Sequence, residues 1–224
     1  MEPWYRVART ALLPPIGLWF NWRLEGLEAI PPEGPLIVAG NHLSYLDPLA
    51  HGLFVDRAGR RPRFLAKREL FQNLFVRTVL LGAGQIPVDR GSGARAPLMD
   101  AARALEAGEV VVLYPEGTST TTDPQFSPGR GRNGAIRLSL MTGVPILPVA
   151  TWGGQYVWRR GERIRPTFGR PILMTAGAPY DPSARSRSAE DRPSVPQLTA
   201  GLMRELSGLV DELRTRYPRR WTPG

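Results

Sequence analysis

Residues 110–114, Val-Val-Val-Leu-Tyr, form an apolar run bounded by Gly108-Glu109 on one side and Pro115 on the other. A strand with one wet face alternates polar and apolar residues, whereas an unbroken run of this length predicts a strand buried on both faces. Such strands belong to sheets whose parallel neighbours are joined by covering helices. Apolar stretches at 36–39, 63–66, 85–88 and 145–149 predict further strands, with more strand signal at 21–24 and around 164–174. Helical patterning runs over 48–57, 69–81, 94–107, 132–142 and 197–216, with Gly108 and Gly143 as stops for the third and fourth. The alternation gives the expected fold class: α/β, a single domain with a central mixed, largely parallel sheet covered by helices, plus an N-terminal amphipathic helical arm. The expected division is 1–20 for the arm, 21–178 for the α/β domain, and 179–224 for a surface loop and a C-terminal helix packed on the domain.

With 224 residues and 42% hydrophobic composition, the chain can bury one substantial core, which excludes wholesale disorder. It has no cysteine, so disulfides, thiolate nucleophiles and cysteine-based zinc sites are excluded, and no metal centre is expected. The formal net charge of +9 makes the surface attractive to phosphate, whether on nucleic acid, on anionic lipid or on a small substrate. Nearly all of that charge is arginine, and Lys67 is the only lysine. The arginines are dispersed and frame no recognisable nucleic-acid module, so no nucleic-acid partner is expected.

Residues 1–22 interleave Trp4, Tyr5, Trp19, Phe20 and Trp22 with Arg6 and Arg9, a composition suited to a lipid–water boundary or to an arm packed on the domain. Pro14-Pro15 predict a break into two short helices. They also interrupt the early apolar stretch, and no small-residue cleavage site follows, so no secretory signal is expected. No apolar run approaches the roughly 20 residues needed to span a bilayer.

The stretch Gly40-Asn41-His42-Leu43-Ser44-Tyr45-Leu46-Asp47-Pro48 follows the strand at 36–39. Pro48 suits the first position of a helix. Asp47 can then either cap that helix or turn back onto the His42 imidazole. In the second arrangement one ring nitrogen stays protonated and the other is left to take a proton from a hydroxyl. These residues alone leave both readings open. His51, inside the helix that follows, reads as a packing or surface residue. No Gly-x-Ser-x-Gly elbow is present, and Gly91-Ser92-Gly93 has the wrong spacing and follows no buried strand. A hydroxyl to be activated therefore belongs to a substrate.

Open α/β sheets gather ligands at the carboxyl ends of their strands. Lys67 ends the strand at 63–66, Asp89-Arg90 follow that at 85–88, and Pro115-Glu116-Gly117-Thr118 follow the run at 110–114. Glu116, Gly117 and Thr118 read as a polar substrate loop, with glycine permitting close backbone approach. Gly129-Arg130-Gly131-Arg132-Asn133-Gly134 matches G-x-G-x-x-G but follows a polar loop, with no acidic residue at the spacing of a ribose partner, so no dinucleotide site is expected. Arg130 and Arg132, at the start of a helix, are placed to bind phosphate.

Together these stretches resemble the glycerolipid acyltransferase family. Asn41 to Asp47 resembles its first motif, NHxSxxD, and Ile86-Pro87-Val88-Asp89-Arg90 its second. Tyr114 to Ser119 resembles the third, FPEGTRS, and Val144 to Val149 the fourth. The resemblance implies that His42 deprotonates a lysolipid hydroxyl, that Asp47 orients it, that Arg90 holds the acceptor phosphate, and that Glu116 and Gly117, with Thr118 beside them, shape the acceptor site. Lys67 and Arg132 are added as phosphate-binding candidates on charge and position. The implied reaction moves an acyl group from acyl-CoA or acyl carrier protein to 1-acylglycerol-3-phosphate, giving phosphatidic acid, with no cofactor. The alternative acceptor is another lysolipid or a glycolipid hydroxyl. The implied partners are a lysophospholipid, the thioester donor and an anionic membrane, and the implied location is peripheral, on the cytoplasmic face of the cell membrane. Ser119 stands where the third motif has arginine, so that charge is absent or is supplied by Arg130 or Arg132.

Overall fold

The computed structural model describes residues 3–88, 95–117, 128–186 and 193–222. Its central apolar run supplies strand β5 (Val110–Leu113), buried at every position. β5 lies between β2 (Leu36–Gly40) and β3 (Pro62–Lys67) in a seven-stranded sheet. With β1 (Asn21–Glu25), β4 (Ile86–Val88), β6 (Ile146–Trp152) and β7 (Pro171–Ala176), the order is β1-β7-β6-β2-β5-β3-β4. All neighbours are parallel except β6 and β7, so the sheet is mixed and largely parallel, as expected.

Successive residues of the central strands point to opposite faces, and both faces are dry. Ile37, Ala39, Val111 and Leu113 pack with Ala101 and Leu105 of α4 (Arg95–Glu106) and Ile136 and Leu138 of α5 (Gly134–Thr142). Leu36, Val38, Val110 and Val112 pack with Ala50 and Phe54 of α2 (Asp47–Arg57). Val110, Val111 and Val112 are fully buried, and each such side chain contributes about 1.5–3 kcal/mol when taken out of water. α6 (Val195–Arg216) covers the β6–β7 end, where Leu206, Val210 and Leu213 meet Ala150, Trp152 and Leu173. Its start is set by a capping box between Ser194 and Gln197, two residues before the expected position.

Three elements differ from expectation. α1 (Pro3–Trp19) is one helix running through Pro14 and Pro15, not two. The prolines deprive the Thr10 and Ala11 carbonyls of intrahelical donors, but both residues are exposed, so water can take their place. The helix expected at 69–81 is divided into a 3-10 turn over Arg68–Phe71 and α3 (Leu74–Gly82). Asn73 makes the division: its Oδ1 accepts from the Val76 N–H at 3.2 Å and caps a new start. Of the strand signal around 164–174, only the part from Pro171 onward is a strand. Ile164 and Phe168 are exposed, and turn bonds from Arg165 N–H to Val157 O and from Thr167 N–H to Arg165 O tie up the backbone there.

Two side chains anchor α1 to α2. The buried Tyr5 donates its hydroxyl to Asp56 of α2 at 2.9 Å, and Arg9 donates to the same carboxylate at 2.5 Å. Val7, Leu18 and Trp19 face outward. Among the described residues no helix is long and apolar enough to cross a membrane.

Candidate active site

β2 and β5 are adjacent and parallel, so the loops leaving their carboxyl ends meet above the same edge of the sheet. The first loop carries His42, and α2 begins at Asp47. The Asp47 side chain does not cap its own helix. It turns back, placing Oδ2 at 3.1 Å from His42 Nδ1. The same oxygen accepts from the backbone N–H of Leu43 at 2.5 Å and of Ser44 at 2.6 Å, and Oδ1 accepts from the Ser44 hydroxyl at 2.7 Å. Four donors thus orient one carboxylate that is almost entirely buried. With Nδ1 donating to Asp47, Nε2 is left as the proton acceptor of a neutral imidazole.

The neighbouring residues fix this pair from below and behind. Asn41, fully buried, accepts from Thr151 N–H at 2.8 Å and donates to Thr151 O at 3.0 Å, pinning the end of β2 to β6. Gly154, after β6, lies so close to Ser44 Oγ and Asp47 Oδ1 that a Cβ would sit 2.6 Å and 3.2 Å from them. Tyr114 stacks on the His42 ring, with centroids 4.4 Å apart and planes 21° from parallel. Its hydroxyl lies 3.4 Å from Nδ1 of His51. His51 is a packing residue, fully buried, with its ring nitrogens 2.9 Å from Asp47 O and 3.1 Å from Val149 O. Burial lowers His51 below the ordinary histidine range. Burial, with the Asp47 charge second, raises the Tyr114 hydroxyl well above the usual phenol range. Burial thus favours the uncharged forms of both groups behind the His42–Asp47 pair.

Glu116, expected to shape the acceptor site, is buried, and its carboxylate faces the backbone. Oε1 accepts from the His42 N–H at 2.9 Å and Oε2 from the Gly129 N–H at 3.2 Å. It therefore ties the loop after β5 to the backbone of His42. Gly117 turns the chain at a φ of 70°, its N–H bonded to Tyr114 O at 3.0 Å. Arg132 lies over the Gly117 Cα, where a Cβ would press on its side chain, and its own N–H is anchored to Pro115 O at 2.7 Å. Lys67 is the last residue of β3, opposite Val88 of β4. Arg90 and Thr118 lie outside the described residues. The structure thus brings His42, Asp47, Glu116, Gly117 and Arg132 together.

Three of them, His42, Gly117 and Arg132, open onto a cavity of about 940 Å³, at the upper end of the range for small-molecule sites. His42, Gly117 and Arg132 line its polar part, and Leu49, Phe64, Val79, Leu80 and Ala83 are among its apolar walls. Sequence reasoning missed Asn41 and Tyr114 as positioning groups. Asn41 contacts a residue 110 positions away, for which the sequence carries no signal. Ser44 had one, its spacing of three residues from Asp47. Among the described residues no group of His, Asp and Glu could hold a metal ion.

A family model described as Acyltransferase matches residues 21–152. The chain is 25% identical over 171 residues to a 1-acyl-sn-glycerol-3-phosphate acyltransferase of Bacillus subtilis, spanning 75% of this chain and 82% of that one. A protein of the same name from Borreliella burgdorferi is 33% identical over 132 residues, spanning 58% of this chain and 50% of its own length. Among solved structures, the 1-acyl-sn-glycerophosphate (LPA) acyltransferase PlsC from Thermotoga maritima matches with a TM-score of 0.69, covering 97% of this chain and 80% of that one. At 24% identity that match is a likeness of fold. The family model spans more than half of the chain and contains His42, Asp47, Glu116 and Arg132; the chain belongs to the Acyltransferase family.

Proposed function

We propose that the protein is an O-acyltransferase that moves a fatty acyl group from an acyl thioester to the free hydroxyl of 1-acylglycerol-3-phosphate, giving phosphatidic acid. One juxtaposition carries this reading: His42, oriented by Asp47 at 3.1 Å, opens onto a mostly apolar cavity that also receives Arg132. The apolar walls suit an acyl chain, the arginine suits a phosphate, and the names of the relatives describe the same acceptor.

In the reaction, Nε2 of His42 accepts the proton of the acceptor hydroxyl as its oxygen attacks the thioester carbonyl carbon. The Asp47 carboxylate stabilises the imidazolium that forms and holds Nδ1–H in place. The tetrahedral intermediate then collapses with cleavage of the C–S bond, and the imidazolium returns its proton to the departing thiolate. No acyl-enzyme is formed, in keeping with a chain that has no cysteine and no serine elbow. Arg132, with Arg90 and Lys67, supplies charge for the acceptor phosphate, and Thr118 joins Gly117 at the acceptor loop. Glu116 acts one step back, through the backbone of His42.

The site belongs at the cytoplasmic face of the membrane, where lysolipid and product reside. Leu18 and Trp19 of α1 and Leu74 and Leu81 of α3 are exposed, and α1 carries basic residues, a combination suited to docking on anionic lipid. The test is mass spectrometry of the products from an equimolar mixture of lysolipid acceptors and acyl-CoA donors. Phosphatidic acid is the expected product; acylation of only neutral or sugar-bearing acceptors would overturn the assignment.

A further inference from the structure

Beside the catalytic cavity lies a second one of about 590 Å³, between the segment 130–133 and α6. Arg132 and Asn133 line both, so the two spaces adjoin across that pair of residues. The divider is fixed to α6: Asn133 Oδ1 accepts from the Thr199 hydroxyl at 2.9 Å, and Gly131 leaves room for Met203, with a Cβ there 2.6 Å from its Cγ. The second cavity is ringed by Arg130, Arg132 and Arg204, with hydroxyls from Thr199 and Ser207. Among the described residues none of these three arginines is in an ion pair, whereas Arg9, Arg63, Arg103, Arg214 and Arg216 are. Among the described residues these cations have no ion-pair partner, and a bound polyanion would supply one.

His42 lines the first cavity and not the second. An anion in the second cavity is therefore a part of a substrate remote from the reacting bond. The acceptor does not fit this requirement: in a 1-acylglycerol-3-phosphate the phosphate sits on the carbon next to the reacting hydroxyl, so both lie in the catalytic cavity. The donor does fit it. In acyl-CoA the thioester is joined to a diphosphate and a ribose 3′-phosphate by the long pantetheine arm. Resting on the acyltransferase reading, we propose that the cavity bounded by Arg130, Arg132 and Arg204 binds the phosphorylated nucleotide head of acyl-CoA. The pantetheine arm crosses the divider at Arg132–Asn133, and the acyl chain occupies the apolar cavity. Arg130 and Arg204, with Arg132 shared with the acceptor side, match the several phosphates of a nucleotide donor better than the single phosphodiester of an acyl carrier protein.

The test is calorimetric titration of CoA, and of CoA lacking the 3′-phosphate, into the full chain and into an Arg204→Ala variant. The Arg204 side chain is exposed, so the variant keeps its core. Loss of charge-assisted bonds to phosphate should weaken CoA binding about tenfold or more and abolish the preference for the 3′-phosphorylated form. In turnover, KM for acyl-CoA should rise by a similar factor while kcat and the KM for lysophosphatidate stay within about twofold. CoA affinity unchanged in the variant would overturn the assignment, as would a rise in the acceptor KM alone, or a wild-type protein that uses only acyl carrier protein and binds no CoA. Phosphatidic acid formed with Arg204→Ala without effect on CoA sinks this site alone. CoA bound as expected with no lysolipid acylated sinks the functional reading and leaves the site.

Discussion

Around His42 the polar groups are tied to backbone from β2, β5 and β6, whereas on the α1–α3 surface Leu18 and Leu74 stand 80% and 77% exposed. The difference follows from what each region has to do. Proton transfer needs a donor and an acceptor held within a few tenths of an ångström, so the Asp47 carboxylate is fixed by four donors and Glu116 fixes the His42 backbone. A lipid interface asks only for apolar area with positive charge nearby, so side chains there need no fixed partners. Breaking the first region should therefore abolish turnover, and breaking the second should weaken capture.

The largest effect is expected for Asp47→Asn. An amide in that place turns a donor toward the N–H groups of Leu43 and Ser44 and no longer stabilises the imidazolium, so kcat should fall about 10²–10⁴-fold with little change in KM. Turnover retained within an order of magnitude would mean that the dyad is not the engine. Next comes Glu116→Ala, which leaves the N–H groups of His42 and Gly129 without their carboxylate. Loss of such charge-assisted bonds should cost about tenfold or more in kcat and lower Tm as well. An effect confined to the acceptor KM would make Glu116 a substrate ligand instead. On the other region, Leu18→Asp with Leu74→Asp should reduce sedimentation with anionic vesicles by about tenfold or less and leave turnover of short-chain, water-soluble substrates intact. Equal loss on soluble and vesicular substrates would erase the contrast between the regions.

The smallest effect concerns stability. His51 has a folded pKa below its ordinary 6.5, so as pH falls the unfolded chain takes up the proton first. The stabilisation from the neutral ring is complete above about pH 6.5 and is lost progressively below it, down to the folded pKa. Thermal melts of the wild type should therefore drop on acidification below about pH 6.5, and those of His51→Gln should drop less. Parallel curves would mean that His51 is not buried neutral.

What was legible in the sequence divides along the same line as the molecule. The valines at 110–112, and the apolar runs beside them, announced a parallel sheet because burial on both faces leaves a pattern no other element needs. The pair His42–Asp47 was visible because both residues belong to one short loop, although only the coordinates choose between a helix cap and a turned-back carboxylate. Asn41 with Thr151, and Glu116 with His42, join residues far apart in the chain, and nothing local in either segment records the partner. Ile164 and Phe168 misled for the opposite reason: they are apolar and strand-like in composition, yet they lie exposed outside any strand. Pro14-Pro15 misled because an exposed helix tolerates carbonyls that water can serve.

The proposed reaction depends most on Nε2 of His42 as the base for the acceptor hydroxyl. The direct measurement is the rate of phosphatidic acid formation from lysophosphatidate and acyl-CoA by the wild type and by His42→Ala, read by mass spectrometry. Steady formation by the wild type is expected, with a rate lower by about 10²–10⁴-fold in the variant and the fold intact by circular dichroism. A folded His42→Ala protein that makes phosphatidic acid at the wild-type rate would contradict it.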